Sequence, residues 1–259
     1  MSARHRILSP HEYDPAAAGQ CALAVMTKAP RAGEVKTRLT PPLTAKEAAA
    51  LNVCFLHDTA AAIAGAGQGA RGIGCYTPVD AAAAYQEVLP SDFQLIAQRG
   101  LDLGERLTFA LEDLLEIGFS SVCLIGSDSP TVPASTYAAA VKILSQPDDC
   151  AVLGPSDDGG YYLIGLKKNH SRMFQEIDWS TRSVCEQTLK RAAEIGLPIR
   201  LLPAGYDVDD LVTLRRLCYD LLGSNDSKKE ITARATRNFL GEIINREGPE
   251  PIWLHQAVA

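Results

Sequence analysis

The sequence VCLIGSDSP, residues 122–130, joins a short apolar run to a polar turn. The run from Val122 to Gly126 is too short for a helix and is bounded by turn residues, which is typical of a strand buried on both faces. It therefore predicts a central strand of a largely parallel sheet. Asp128 would then lie just beyond the carboxyl end of that strand, where α/β proteins bind their ligands.

Strand-like and helix-like segments alternate on both sides of this run. Apolar runs predict strands at 21–26, 72–76, 93–97, 122–126, 151–154, 161–166 and 199–202. Amphipathic or alanine-rich patterns predict helices over 45–64, 80–88, 106–117, 133–144, 183–196 and 231–244. Pairs typical of a capping box precede three of them: Thr44 with Glu47, Asp102 with Glu105, and Ser183 with Glu186. The alternation predicts an α/β protein with one mostly parallel, doubly wound, Rossmann-like sheet.

The composition of the 259 residues is that of a globular protein, with 46% hydrophobic and 22% charged residues. No apolar run approaches the roughly 18 residues that a membrane-spanning helix needs, and the first 20 residues lack the apolar centre of a signal peptide. We therefore expect a cytoplasmic protein without a membrane span. The net charge of −6 argues against nucleic acid as a partner, and the seven separated cysteines indicate buried thiols.

Four cations are concentrated in the segment KAPRAGEVKTRL, residues 28–39, which follows the first predicted strand. Gly33 permits close approach of a ligand to the backbone, and Lys36 and Arg38 can neutralise phosphate charge. The alternative is a solvated basic loop without a ligand. The Walker A pattern is absent, so the sequence does not predict a P-loop fold.

Acidic residues follow two predicted strands. Asp128 ends the central strand, and Asp207 and Asp209 follow the last one in the segment YDVDDL, residues 206–211. Carboxylates at adjoining strand ends can hold Mg²⁺ or Mn²⁺, which needs only one or two of them besides substrate phosphates. Helix capping at Asp128, or a solvated helix N-terminus at 206–211, is the alternative for these acids.

Two further segments have residues suited to bind a second substrate that would accept a transferred group. The turn Asp158-Gly159-Gly160-Tyr161 lets a ligand or another backbone come close, and Trp179-Ser180-Thr181 offers an aromatic ring beside hydroxyls. A hairpin-like turn and a tryptophan buried in the core are the alternatives. The pattern GQGARG, residues 67–72, lies between a predicted helix and a strand, which is the reverse of the order that a dinucleotide site requires.

Taken together, these segments resemble a bacterial GT-A-type glycosyltransferase family that is usually described as nucleotide-diphospho-sugar transferases. More distantly they resemble the guanylyltransferases of molybdenum-cofactor biosynthesis, 2-phospho-L-lactate guanylyltransferase and the CMP-sugar synthetases. The resemblance spans about residues 21–222. It is carried by the following segments: 28–39, 98–100, 103–106, 126–130, 158–161, 179–181 and 207–209.

The resemblance implies a role for each segment. Those enzymes hold a triphosphate on the loop after the first strand and Mg²⁺ on two acids at later strand ends. It implies nucleotide contacts from Lys28, Gly33, Lys36, Thr37, Arg38, Gln98, Gly100 and Ser127. Catalysis would fall to Lys36, Arg38 and Asp128, the metal to Asp128, Asp209 and Asp207, and the acceptor to Asp158, Gly159, Gly160, Tyr161, Trp179, Ser180 and Thr181. The chain departs from the pattern in having Lys28-Ala29-Pro30 where many nucleotidyltransferases carry consecutive glycines, and in lacking a D-x-D sequence after a strand in mid-chain.

On this basis we expect a metal-dependent transferase that uses a nucleotide and a small phosphorylated or sugar-like acceptor, in a chain able to form oligomers. We place an N-terminal extension at 1–20, the transferase domain at 21–222, and a linker, helix and tail at 223–259. Nucleotidyl transfer is favoured over glycosyl transfer because a triphosphate brings more charge for the basic loop to neutralise. A non-catalytic nucleotide-binding regulator is the alternative from a different class.

Overall fold

The computed structural model describes residues 5–223, 232–248 and 252. The strands are β1 Cys21–Lys28, β2 Ala70–Thr77, β3 Gln94–Ala97, β4 Ser121–Gly126, β5 Ala151–Pro155, β6 Tyr161–Leu166 and β7 Ile199–Leu201. The α-helices are α1 Ala45–Ala64, α2 Leu103–Ile117, α3 Ala134–Leu144, α4 Val184–Glu194, α5 Leu211–Leu222 and α6 Arg234–Glu247. The predicted linker lies outside the described residues apart from Gly223.

The strands form one sheet in the order β3-β2-β1-β4-β6-β5-β7. Among the described strands, β6 alone runs antiparallel to its neighbours β4 and β5, and the other adjacent pairs are parallel. The prediction of a mostly parallel α/β sheet is therefore confirmed. The antiparallel strand enters by a hairpin, since the short segment 156–160 connects β5 to β6.

The strongest sequence signals give the most accurate element boundaries. Helix α1 has the predicted bounds, and Thr44 and Glu47 form the reciprocal capping box. Helix α2 begins after Asp102, whose side chain accepts from the Glu105 N–H, and it ends at Gly118 with a φ of 117°. Strand β4 is buried almost throughout between β1 and β6, as the run at 122–126 predicts.

Two local predictions are wrong, and one helix is missing from them. The helix predicted over 80–88 is a short 3₁₀ helix at Ala82–Tyr85, and Ala81 rather than Asp80 precedes it. Ser183 makes no capping hydrogen bond through its side chain at the start of α4. Helix α5 was not predicted, and it begins with a capping box between Asp210 and Thr213. The alternative interpretation of the acidic segment as a helix N-terminus therefore holds for Asp210.

Helices cover both faces of the sheet. Leu23 and Val25 of β1 pack in the cluster that includes residues of α1 and α3, whereas Ala22 and Ala24 pack in the cluster that includes residues of α2 and α4. This split follows from the alternation of side chains along a strand. None of the described helices is long and apolar enough to cross a bilayer.

A third cluster of buried side chains determines where the functional loops lie. Leu39 ends the basic loop and Val208 lies inside the acidic segment, and both are fully buried in this cluster beside Phe55 of α1. Residues of α5 and α6 complete it, including Leu214 and Leu240. Burial of these apolar residues fixes the basic loop and the acidic segment next to each other.

Candidate active site

Lys36 lies at the centre of the site. Its backbone is left-handed, with a φ of 49°, and it precedes the 3₁₀ turn that ends at the buried Leu39. The side chain is 5% exposed. Its Nζ donates to Asp128 Oδ1 at 2.7 Å, to Asp209 Oδ1 at 2.9 Å and to the Val208 carbonyl at 2.8 Å. All three ammonium donors are therefore used within the protein.

The structure brings Asp128 and Asp209 together on this one ammonium group. The Val208 N–H also donates to the Asp128 carbonyl at 2.9 Å, which attaches the acidic segment to the end of β4. The two carboxylates remain accessible, with side-chain exposures of 35% and 49%. In each, Oδ1 binds Lys36, and Oδ2 makes no hydrogen bond to any residue that the structure describes.

Electrostatics keeps Lys36 charged. Burial, the largest single influence, lowers its pKa, but the charges of Asp128 and Asp209 and their hydrogen bonds outweigh it and leave the pKa raised. The ammonium also lies 5.4 Å from the centroid of the Phe55 ring. Lys36 thus acts as a fixed positive charge beneath two carboxylates.

A cavity of about 290 Å³, here called the basic cavity, lies between the basic loop and α1. It is lined by Lys28, Glu34, Val35, Lys36, Thr37, Arg38, Asn52, Ser127, Asp128 and Asp209. Arg38 is exposed and has no hydrogen bond or ion pair with any described residue. Gly33 has a φ of 80° and open space around it. A solvent-facing guanidinium and an open loop backbone suit an anionic ligand.

A second cavity of about 450 Å³, the Trp179 cavity, adjoins the first, since Arg38 and Asp209 line both. Its apolar walls are Met26 of β1, Leu124 and Ile125 of β4, Leu103 and Leu107 of α2, and Trp179 and Val184. Its polar walls include Asp158, Gly160, Tyr161, Ser180, Thr181, Arg182 and Asp207. The predicted acceptor residues thus gather at one place, apart from Gly159, and Trp179 both lines the cavity and packs against the core.

Asp207 lies deeper than the other acids of the site. Burial, together with the charges of Asp128 and Asp158, raises its pKa to about 6, although a hydrogen bond from the Ser129 hydroxyl opposes the rise. At neutral pH this part of the site therefore carries an excess of negative charge that favours a cation.

The glycine turn before β6 admits another backbone segment. Gly159 has a φ of 90°, and a Cβ at this position would collide with the Arg182 carbonyl. The Gly159 carbonyl accepts from the Cys185 N–H at 2.9 Å. Gly159 therefore seats the segment that follows Trp179. The turn is both the hairpin between β5 and β6 and a point where another backbone segment comes close.

Gln98 and Gly100, which were predicted to contact the nucleotide, lie outside the linings of both cavities. The Gln98 Nε2 donates to the Thr27 and Cys75 carbonyls, at 3.2 Å and 2.7 Å, near the carboxyl ends of β1 and β2. Gly100 adopts a φ of 112° before α2, where Glu105 lies against it. Neither residue is among those that line the basic or the Trp179 cavity.

Sequence reasoning missed several residues of the site. Ser129 binds Asp207, and Arg182 and Met26 line the Trp179 cavity. Asn52 of α1 lines the basic cavity although it is 4% exposed. Asn52 is a polar residue next to Leu51, at a helical position that faces the core, and this feature of the sequence could have identified it.

Comparisons with known proteins agree with this architecture. A family model described as an uncharacterised protein conserved in bacteria (DUF2064) matches residues 59–181. A crystal structure from Desulfovibrio desulfuricans G20, provisionally described as a nucleotide-diphospho-sugar transferase, matches with a TM-score of 0.78 and 29% identity, over 93% of this chain and 99% of that one. No curated protein matches the sequence.

A nucleotidyl transferase from Methanothermobacter thermautotroptrophicus matches with a TM-score of 0.52 and 13% identity, over 80% of this chain and 99% of that one, which supports the fold alone. The structure from Desulfovibrio desulfuricans confirms the resemblance to nucleotide-diphospho-sugar transferases that the sequence indicates. The chain has the α/β, GT-A-type fold that nucleotidyl- and glycosyltransferases share.

Proposed function

We propose that this protein is a metal-dependent transferase that moves a nucleotidyl group from a nucleoside triphosphate to a small acceptor. One observation carries the proposal: the exposed Arg38 guanidinium and the carboxylates of Asp128 and Asp209 line the same cavity, directly beside a second, less polar one. Arginine binds phosphate in a bidentate manner. The carboxylates supply the ligands that Mg²⁺ prefers.

The residues present fit a divalent cation. Asp128 and Asp209 each offer one carboxylate oxygen that Lys36 does not use, and Asp207 and Asp158 add negative charge nearby. Within the described residues there is no cluster of three or more His, Cys, Asp or Glu side chains arranged as metal ligands. Two carboxylates, substrate phosphates and water make up a usual coordination sphere for Mg²⁺, and Mn²⁺ suits the same oxygen ligands. When bound, the ion would stabilise negative charge that develops on the phosphates.

The protein's own groups have separate tasks in this proposal. Lys36 holds the two carboxylates in fixed rotamers and is a positioning residue rather than a phosphate ligand, because its three donors are occupied. Arg38 binds the phosphates, and Thr37 and Ser127 line the same space. An acceptor oxygen in the Trp179 cavity, either an ionised phosphate oxygen or a hydroxyl that gives its proton to solvent, attacks the α-phosphorus. The bond from that phosphorus to the oxygen that bridges it to the β-phosphorus breaks, and pyrophosphate leaves through the basic cavity.

Glycosyl transfer is the second candidate, and a specific observation favours it. The structure at 29% identity carries a provisional description as a nucleotide-diphospho-sugar transferase. In that reaction Arg38 and the cation would hold the diphosphate of a nucleotide sugar, and the acceptor would attack the sugar carbon. The two reactions differ in their second product, which is pyrophosphate in the first and a nucleoside diphosphate in the second.

A thermal-shift screen tests the proposal. The four nucleoside triphosphates and a set of nucleotide sugars are each added with and without Mg²⁺, because a ligand that binds the native state raises its melting temperature. We expect a metal-dependent rise that Asp128→Asn and Asp209→Asn abolish and that Asp80→Asn, at an exposed position outside both cavities, leaves intact.

Turnover of the best ligand then separates the candidates. Release of pyrophosphate supports nucleotidyl transfer, and release of nucleoside diphosphate supports glycosyl transfer. Binding without turnover across a broad panel of phosphorylated and sugar acceptors would favour the non-catalytic regulator. Absence of any nucleotide binding would overturn the proposal as a whole.

A further inference from the structure

Asn52 is a buried polar residue in the wall of the basic cavity, and it has no hydrogen-bond partner among the residues that the structure describes. It lies in the middle of α1, is 4% exposed, and has the fully buried Leu51 and Phe55 nearby in the helix. Its Oδ1 atom is shielded from solvent and accepts no hydrogen bond from the described residues. The side chain nevertheless lines the cavity that also holds Arg38.

An orphan carbonyl in this position is costly. A buried acceptor that loses its hydrogen bonds to water destabilises the folded state, and a leucine of similar size would avoid the penalty. Ten side-chain atoms of the described residues are orphaned in this way, and Asn52 Oδ1 is the one among them whose residue lines the basic cavity. A ligand in the adjoining cavity would supply a partner for Asn52.

The chemistry of the orphan atom restricts what that ligand offers. Asn52 Oδ1 is an acceptor and needs an O–H or N–H donor. Phosphate oxygens of a bound nucleotide are acceptors, and they suit the exposed Arg38 and the hydroxyl of Thr37 in the same cavity. The hydroxyls of a ribose and the N–H groups of a base are the donors that a nucleotide carries.

We propose that Asn52 is a nucleotide-contacting residue whose amide turns toward the cavity when the donor substrate binds, so that its carbonyl accepts a hydrogen bond from the nucleoside half, a ribose hydroxyl or a base N–H. This inference rests on the proposed nucleotide-dependent function. It adds a binding residue from α1 to the residues of the basic loop and the acidic segment. It also gives the basic cavity a contact that the ionised phosphate oxygens of a nucleotide, which are acceptors, cannot use.

The test replaces Asn52 with leucine and follows stability and binding separately. In Asn52→Leu we expect an unchanged or higher melting temperature without ligand, because the orphan group is removed. We also expect the affinity for the best-binding nucleotide of the screen to fall by about threefold to tenfold, the value of one hydrogen bond. Asn52→Ala, which cannot overpack the site, checks the same loss of affinity if the leucine disturbs folding.

Thr59→Val is the matched control. Thr59 lies on the same helix, is 1% exposed and also has an orphan hydroxyl, but it lines neither the basic nor the Trp179 cavity. This change should leave the melting temperature unchanged or higher, as at Asn52, and should leave nucleotide affinity unchanged. A structural role for the Asn52 amide would show as a lower melting temperature with unaltered affinity.

Inorganic tripolyphosphate separates a nucleoside contact from a phosphate contact. We expect Asn52→Leu to weaken the nucleotide and to leave tripolyphosphate binding as in the wild type. Equal weakening of both ligands would overturn the nucleoside assignment, and unaltered nucleotide affinity would overturn the contact itself. If the wild-type protein binds no nucleotide, the proposed function falls and the inference with it, whereas nucleotide binding that is insensitive to Asn52 sinks the inference alone.

Discussion

The basic cavity and the Trp179 cavity share Arg38 and Asp209 but are built in different ways. In the basic cavity one buried ammonium, that of Lys36, joins the ends of two chain segments, which the burial of Leu39 and Val208 also holds side by side. Packing holds the Trp179 cavity, whose walls come from β1, β4 and α2 and from the segment seated on Gly159. Electrostatic changes should therefore damage the first cavity and changes of shape the second.

The largest effect is expected from Lys36→Met. It removes the ammonium and leaves Asp128 and Asp209 close together without their shared cation. Removing one partner of a buried salt bridge costs about 3–5 kcal/mol, whereas a salt bridge at the surface contributes less than about 1 kcal/mol. Because the lysine is buried and the two acids are partly exposed, we expect the unfolding free energy to fall by about 2–4 kcal/mol. Urea denaturation without divalent cations measures it.

Lys28→Met is the matched control for this change. Lys28 lines the same cavity, but its side chain is half exposed, and among the described residues its ammonium forms a hydrogen bond and an ion pair with Glu34 alone. It should change stability by less than about 1 kcal/mol. Equal losses in the two variants would show that Lys36 does not hold the cavity together.

The next effect has the opposite sign and depends on pH. The pKa of Asp207 is about 6 in the folded protein against an ordinary value of 3.8, so the folded state binds more protons between these values. Its contribution to stability is therefore present below about pH 4 and is lost as the pH rises through 6. Asp207→Asn keeps an acceptor for Ser129 and removes the buried charge.

We expect Asp207→Asn to raise the unfolding free energy by up to about 2 kcal/mol at pH 7.5, and the difference from the wild type to vanish near pH 4. Melting temperatures over this pH range in metal-free buffer provide the measurement. A difference that does not vary with pH would mean that the carboxyl of Asp207 is not the titrating group.

The two cavities also differ in how far the sequence predicted them. The basic cavity is assembled from residues next to strand ends, where Asp128 and the basic loop could be placed by counting along the chain. Asp209 meets Asp128, as the alternation of the acids around Val208 and the adjoining strand ends predict, whereas the packing of Val208 beside α1 depends on the tertiary fold. The sequence also did not show that the Lys36 ammonium contacts three oxygen atoms of the protein.

The walls of the Trp179 cavity come from elements far apart in the sequence. Met26 and Leu107 each fit a strand or helix pattern, but that pattern does not tell which buried face leaves space for a ligand. The sequence correctly predicts a turn at Gly159, whereas the contact of Gly159 with Arg182 depends on the tertiary fold. Element type followed from local periodicity, and cavity shape did not.

A smaller effect, confined to binding, is expected from Arg38→Gln. The guanidinium is exposed and unpaired among the described residues, so its removal should leave the melting temperature unchanged. A charge-assisted contact to phosphate contributes about 1.5–3 kcal/mol, so nucleotide affinity should fall at least tenfold. Isothermal titration measures the loss. Arg31→Gln, at an exposed loop position outside both cavities, should bind as the wild type does.

The smallest effect is expected at Gly104, where the Trp179 cavity can be changed in shape without loss of an atom from its walls. A Cβ at Gly104 would lie 2.6 Å from Trp179 Nε1 and 3.2 Å from the Phe174 carbonyl. Gly104→Ala therefore displaces the indole, while the higher helix propensity of alanine, worth about 1 kcal/mol, offsets part of the strain in α2. We expect little net change in melting temperature and a severalfold rise in the acceptor KM with unchanged nucleotide affinity.

In a Trp179→Phe background the added methyl has a smaller ring to displace, so the two changes should be less than additive. Full additivity, or parallel changes in the kinetics of both substrates, would assign Trp179 to the core rather than to acceptor binding.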